Sequence, residues 1–274
     1  MRIGSTGAGV NLQHGVTTLV RVSPASRTKL EISFNGKPLP RPVVSQEVVA
    51  EHLESSSEIL RVTVFHRSVL PMGCGYGTSG AGALSLSLAL NEALGSNLSH
   101  VEAAQIAHRA EVKRRTGLGT VTSAFYGGLV IRTRPGAPGF AQVKKIVPSS
   151  SMRVVSGAFG PISTARVLSN TGLRKRINLC SKGLVSLQVK GPETDTFVRL
   201  SLRFAGCLGL ISPRLREAIS RMQRRRIKSS MMMIGESLFT VVRKELVPEA
   251  KSTIKLAGLA PVVSKIAEHG AVVL

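Results

Sequence analysis

At 274 residues, 43% of them hydrophobic, the chain is long enough for one large or two ordinary domains with real cores. Its 37 lysines and arginines against 15 acidic residues leave a formal charge of +22, which suits an anionic ligand; aromatic residues at 4%, with no tryptophan, leave few of the stacking platforms used on single-stranded nucleic acid. Cys74, Cys180 and Cys207 are odd in number, far apart and without metal-ligand spacing, which excludes a disulfide scaffold or cysteine-metal site and fits a reducing, intracellular setting and a fold that needs no crosslink.

The opening MRIGSTGAGVNLQHG lacks a signal-peptide core, and no segment is apolar for long enough to cross a bilayer, so a cytoplasmic protein is expected. VTTLVRV (16–22) and LEISF (30–34) alternate like strands, and Asn35-Gly36 follows as a hairpin turn, so the chain is expected to begin antiparallel. SQEVVAEHLES (45–55) reads as a short helix and LRVTVFHRS (60–68) as a strand that delivers the chain to the glycine-rich PMGCGYGTSG. A helix from about residue 79 to 94 stops at Gly95. The next begins in a capping box, Ser99 with Glu102, and ends at TGLGT (116–120).

GGLVIRTRPGAPG then gives a strand with a Pro- and Gly-rich exit, and AQVKKIVP a further one. The serine run 149–151 is the expected seam between domains 1–149 and 150–274. MRVVSGAFGPISTARVLSN follows as strand, turn and helix, and helices alternate with short strands thereafter. The densest basic run, RMQRRRIK (221–228), closes a helix that Ser212 caps and Pro213 begins; it reads as a solvated helix end whose cations suit the dipole.

Five glycines within the ten residues 73–82, running straight into a helix, combine close backbone approach with unpaired N–H groups and a positive dipole end. That is phosphate-binding chemistry. A tight strand-to-helix turn without a ligand is the alternative. Gly77-Thr78-Ser79 lacks the lysine of a Walker loop. Gly75-x-Gly77-x-x-Gly80 matches the dinucleotide pattern, but a second helix follows where a strand is needed. No H-R-D or D-F-G triplet of the protein kinases occurs.

The remaining pattern, Pro-x-x-x-Gly-x-Gly-x-Ser-x-Ala, resembles the phosphate motif of the GHMP small-molecule kinases. Within that superfamily, GSTGAGVNLQHGVTT, GCGYGTSGAGALS, AHRAEVKRRTGLG, GGLVIRTRPGAPG, GPISTARVLSN, SPRLREAI and SSMMMIGESLF together resemble the archaeal pantoate kinases, in order and over most of the chain. The resemblance implies an α+β, two-domain fold, a ribosomal-S5-like domain followed by a ferredoxin-like one. It also implies ATP and magnesium as cofactors and pantoate as substrate, in coenzyme A biosynthesis. By position, Gly73, Gly75, Gly77, Thr78, Ser79 and Gly80 would hold the nucleotide phosphates; Glu111 and Ser79 would hold the metal; and Ser5, His108, Arg132 and Thr164 would contact pantoate. Without the resemblance, Glu111 reads as a solvated helix carboxylate, His108 as a packed or surface histidine and Arg132 as a strand arginine facing solvent. A homodimer is compatible with the sequence.

Two departures stand out. Where the family usually reads Gly-Leu-Gly-Asp, this chain has Gly117-Leu118-Gly119-Thr120, and the expected catalytic set becomes Ser79, Glu111 and Thr120. A threonine hydroxyl is no base at neutral pH, and loss of a general base costs on the order of 10² to 10⁴ in rate. Phosphoryl transfer relies mainly on positioning and charge neutralisation, so three readings stay open: a working pantoate kinase, a slow or altered small-molecule kinase, and a nucleotide-binding protein without catalysis. Nucleic-acid binding, suggested by the charge, is a fourth reading. The family also usually carries a strand and a Pro-Gly-His turn ahead of the Gly-Ser-x-Gly-Ala-Gly segment, whereas Met1 stands three residues before Gly4 here; the expectation is an upstream start or a missing first strand.

Overall fold

The computed structural model describes residues 1–54 and 58–274. The chain runs through β1 (Gly7–Val10), β2 (Thr17–Pro24), β3 (Lys29–Phe34), β4 (Lys37–Pro38), α1 (Val43–Leu53) and β5 (Leu60–Arg67). Strands β2 and β3 do not pair with each other: the sheet order is β2-β5-β3-β4, with β5 antiparallel to β2 and parallel to β3. The expected antiparallel start holds for β2 with β5 and for the hairpin that follows Phe34, while β3 and β5 run parallel. The physical reason is the crossover through α1, which returns β5 alongside β3, while the buried Leu60, Val62, Val64 and His66 earn β5 the central position. Asn35-Gly36 turns β3 into the two-residue β4. The helix expected over 45–55 ends at Leu53, and Ser55 lies outside the described residues.

After the glycine loop come α2 (Thr78–Leu94) and α3 (His100–Arg114), then α4 (Thr120–Tyr126), β6 (Leu129–Arg134) and β7 (Gln142–Ile146). Helix α2 buries Leu84, Leu86 and Leu90 against the first sheet and α3. Both halves of the Ser99–Glu102 capping box form at the start of α3. Helix α4 has no counterpart in the sequence reading, because seven residues are too few for a helical period to show. Strands β1, β6 and β7 make a second, antiparallel sheet in that order.

The second half contains β8 (Met152–Pro161), α5 (Thr164–Ser169), α6 (Thr171–Ser181), α7 (Leu184–Lys190), α8 (Thr194–Leu208), α9 (Pro213–Arg224), β9 (Ser230–Met231), β10 (Gly235–Arg243), α10 (Val247–Leu256) and β11 (Val262–Lys265). Its sheet is antiparallel throughout, in the order β11-β8-β10-β9. With α9 and α10 it forms the β-α-β-β-α-β series of a ferredoxin-like unit. Ser212 accepts from Leu215 N–H and Pro213 occupies the first turn of α9, as its sequence predicts. The basic run at its end is exposed, with Arg221 and Arg224 on Glu217 and Lys228 on Asp195. Such exposed pairs contribute little to stability.

The two halves share an apolar cluster of Leu129, Val154, Phe197, Val198, Met232 and Phe239. Beyond β11 the chain returns to the first half, where Ala267 N–H bonds Asn11 O (2.9 Å) and Ala271 N–H bonds Ala124 O (3.0 Å). Cys180 and Cys207, 27 residues apart, are joined in a disulfide that ties α6 to α8. This corrects the expectation of a chain without crosslinks. Two helices that meet in space need leave no trace in cysteine spacing. Among the described residues, no helix is long and apolar enough to cross a membrane.

Two buried histidines make stability depend on pH. Ser87 Oγ donates to Ala103 O (2.6 Å), so His52 Nε2 must donate to Ser87 Oγ (2.8 Å), and His52 Nδ1 has no partner. His66 bridges Thr18 (2.8 Å) and Ser45 (3.2 Å). Burial pushes both imidazoles down to about 4. Above pH 6.5 both are neutral whether the chain is folded or not; as pH falls from 6.5 toward 4, the unfolded chain takes up protons that the fold refuses, so stability is lost. The expected loss is roughly 2–3 kcal/mol per histidine by pH 4. Denaturant titrations from pH 7 to 4 measure it, and His52→Gln should remove the His52 share of the slope while leaving that of the other buried histidines.

Candidate active site

The glycine loop is a seam between the halves. Gly73 O accepts from Ile162 N–H (3.1 Å), Cys74 O accepts from Ser237 Oγ (2.6 Å), and Tyr76 OH donates to Ser156 Oγ (3.0 Å). A Cβ on Gly75 would lie 2.8 Å from Met232 Cβ at a φ of +86°, so only glycine fits there. Gly77, at φ +71°, is the left-handed residue that starts α2. Thr78 is buried, while Ser79 is exposed and turns its hydroxyl inward to Glu111.

Glu111 is 1% exposed and takes two hydroxyl hydrogen bonds on one oxygen: Ser79 Oγ to Oε1 at 2.6 Å and Thr116 Oγ1 to Oε1 at 2.7 Å. It is therefore far from a solvated helix carboxylate. Burial raises its pKa, and the two hydroxyls oppose that rise. Nothing cationic among the described residues pairs with it. The carboxylate and the Ser79 hydroxyl are hard oxygen donors, which suit magnesium when substrate phosphates complete the shell. Among the described residues no cluster of three or more His, Cys, Asp or Glu could hold a metal by itself.

Thr120 opens α4 directly beneath the loop. A Cβ on Gly77 would lie 2.6 Å from its Cγ2, and a Cβ on Gly80 would lie 2.8 Å from its Cβ and 2.9 Å from Glu111 Oε2. The loop, the carboxylate and Thr120 thus meet at one point. Proximity to the loop required a contact across forty residues, which spacing alone could not reveal.

Arg132, on β6, is 9% exposed. Its Nε donates to Ser5 O (3.1 Å), one amino group donates to Ser123 Oγ, and the other lies against Gly119 and Gly7. Burial lowers its pKa to about 10, so it stays charged at neutral pH. No carboxylate among the described residues pairs with it. His108 Nε2 donates to Ile3 O (2.8 Å), and burial together with the Arg132 charge holds the imidazole neutral. Ser5 N–H in turn bonds Leu118 O (2.9 Å), so Ser5, His108 and Arg132 share one N-terminal segment. Thr164 stands apart from them on the facing half, at the start of α5 and two residues beyond the Ile162 that bonds Gly73. The sequence reading assigned no role to Thr116, Ser123 or Tyr76, since each acts through a partner distant or hidden in sequence.

Residues 43–128 match the model of the GHMP kinases N-terminal domain. A pantoate kinase of Thermococcus kodakarensis is 33% identical over 258 residues, spanning 93% of this chain and 84% of that protein. The chain belongs to the pantoate kinase family of the GHMP kinases. A pantoate kinase of Methanocaldococcus jannaschii is 32% identical, over 93% of this chain and 90% of that one. The solved structure titled "Phosphotransferase related to CoA biosynthesis pathway" superposes with a TM-score of 0.87 at 28% identity, over 98% of this chain and 89% of its own. Membership in the family accounts for a two-domain α+β fold with its glycine loop wedged between the halves.

Proposed function

We propose that the protein transfers the γ-phosphate of ATP to the primary hydroxyl of pantoate, giving 4-phosphopantoate and ADP in coenzyme A biosynthesis in the cytoplasm. Arg132 is the observation that carries the acceptor: a buried, unpaired cation has lost its hydration and is compensated only when an anion arrives. Two hydrogen bonds already orient the fork, and its remaining N–H groups suit a carboxylate bound by two parallel hydrogen bonds. Ser5, His108 and, from the facing half, Thr164 would border that substrate. The backbone of Gly73, Gly75, Gly77 and Gly80 with Thr78 and Ser79 would cradle the nucleotide phosphates at the start of α2. Residues 1–149 would form the ATP-binding domain and 150–274 the second domain, with the tail after β11 clasping the first.

Magnesium, held by Glu111, Ser79 and the phosphates, would neutralise charge on the transferred group. Thr120 would donate to or accept from the acceptor hydroxyl and orient it, without taking its proton. A loose transition state tolerates this, because the proton can leave after the bond to ADP has largely broken. Purified protein with ATP, magnesium and pantoate should yield 4-phosphopantoate; homoserine and mevalonate as parallel acceptors test for altered specificity. Absence of product above background with pantoate would sink the proposal.

The side chain at 120 supplies a separate prediction. Thr120→Val keeps the methyl that packs on Gly77 and loses the hydroxyl, so kcat should fall about three- to tenfold, the worth of one neutral hydrogen bond. Thr120→Asp places a second carboxylate beside buried Glu111, where like charge raises both pKa values. Its gain in kcat should stay below about tenfold, short of what a general base supplies. Steady-state kinetics at saturating ATP measure both.

A further inference from the structure

Helix α3 ends at Arg114, and the residue after it, Arg115, takes the left-handed conformation at φ +56° although it is not glycine. That conformation costs about 1 kcal/mol for an ordinary L-residue. It folds the chain back so that Thr116 N–H bonds Glu111 O (3.0 Å), and it lays the Thr116 hydroxyl on Glu111 Oε1 at 2.7 Å. Ser79 already donates to the same oxygen at 2.6 Å. Both lone pairs of Oε1 are thus engaged by hydroxyls from opposite sides, one from α2 and one from the turn after α3.

The second oxygen is left differently. Among the described residues, the sealed polar side-chain atoms without a partner are His52 Nδ1 and Ser229 Oγ; Glu111 Oε2 is not among them, although no donor reaches it. It therefore keeps only a sliver of accessible surface, in the narrow space between Gly80 and the turn at Gly117. Two glycines keep that space: a Cβ on Gly117 would fall 2.0 Å from Oε2, and one on Gly80 would fall 2.9 Å away. A carboxylate free to rotate would offer either oxygen; here one oxygen is pinned and the other presented.

We propose that Thr116 is a positioning residue that locks the Glu111 carboxylate so that Oε2 is the oxygen presented to the divalent cation of the ATP complex. The inference rests on the reading of Glu111 as the metal-holding carboxylate of a phosphotransferase. Thr116 touches neither substrate nor metal; it acts through Glu111. Without its hydroxyl, Glu111 keeps one anchor, Ser79, which must itself serve the metal, and the carboxylate can swing.

The test measures Mn2+ binding to the full-length protein with a non-hydrolysable ATP analogue by electron paramagnetic resonance, together with the metal concentration for half-maximal activity. Thr116→Val, of equal shape, should weaken Mn2+ binding about tenfold, on the scale of one hydrogen bond to a charged group. The analogue's affinity without metal should stay unchanged, and the melting temperature should fall by no more than the few degrees that one lost hydrogen bond is worth, a fall that Thr116→Ser avoids. Thr116→Ser should restore binding to within about threefold of the native protein. Gly117→Ala, which fills the space beside Oε2, should abolish the metal-dependent part whether or not Thr116 is intact.

Native-like Mn2+ binding in Thr116→Val would overturn the positioning role and leave the kinase reading standing. Failure of the native protein to bind Mn2+ with the analogue, or Mn2+ binding that Glu111→Gln leaves unaffected, would instead overturn the reading of Glu111. A fall in melting temperature or metal-free nucleotide affinity in both Thr116 variants would make the residue structural.

Discussion

Arg132→Met raises the KM for pantoate about 10²- to 10³-fold and leaves the KM for ATP within about threefold of native. The expectation follows from burial: removing one member of a buried, hydrogen-bonded charge pair costs about 2–5 kcal/mol. The cost appears only when the carboxylate is bound, since no acid among the described residues pairs with Arg132. Stability should move the other way. A 9% exposed cation without a counter-ion is a burden on the free fold, so the methionine variant should melt at the same temperature or higher. Arg132→Lys should rescue little, because one ammonium cannot hold Ser5 O and Ser123 and still present a planar pair of donors. Steady-state kinetics with each substrate varied in turn, together with thermal melts of the free protein, read the prediction. An equal rise in both KM values would place Arg132 outside the pantoate site.

What could be read from the chain was its local chemistry. The glycine loop with the helix behind it, the Ser99–Glu102 box and the Ser212 cap all depend on residues within a few positions of one another, and all appear as expected. Pairing was not legible in the same way: whether LEISF joins its predecessor or its successor depends on where α1 sends the chain, a matter of packing across the whole sheet. The disulfide and α4 escaped for related reasons, one being a meeting of distant helices and the other too short to show a period. The candidate site divides along the same line. Ser79 and Glu111 were nameable from spacing and family resemblance, but their mutual hydrogen bond, the second hydroxyl from Thr116 and the packing of Thr120 under Gly77 are tertiary contacts. Sequence showed which residue types were present, and folding decided which of their atoms meet at the glycine loop.

Glu111→Gln carries the second large effect, and it separates stability from activity. The amide has the same shape, and its oxygen can accept from Ser79 and Thr116 as Oε1 does now, which turns its NH2 toward the loop. There it meets a cation with donors instead of a negative oxygen. Loss of the carboxylate should therefore lower kcat by about 10³ or more, some 4 kcal/mol of transition-state stabilisation. The free protein should not suffer. Burial already raises the Glu111 pKa, which means that the charged form is disfavoured by its surroundings and a neutral isostere relieves that strain. Melting temperature in the absence of nucleotide and metal is expected to be equal or higher in the variant. Nucleotide with magnesium should stabilise the native protein more than the variant, since only ligands that bind the folded state raise its stability. Thermal melts with and without magnesium-ATP analogue, beside single-turnover rates, make the comparison. A variant that keeps its kcat would show that the buried carboxylate serves the fold and not the transferred phosphate.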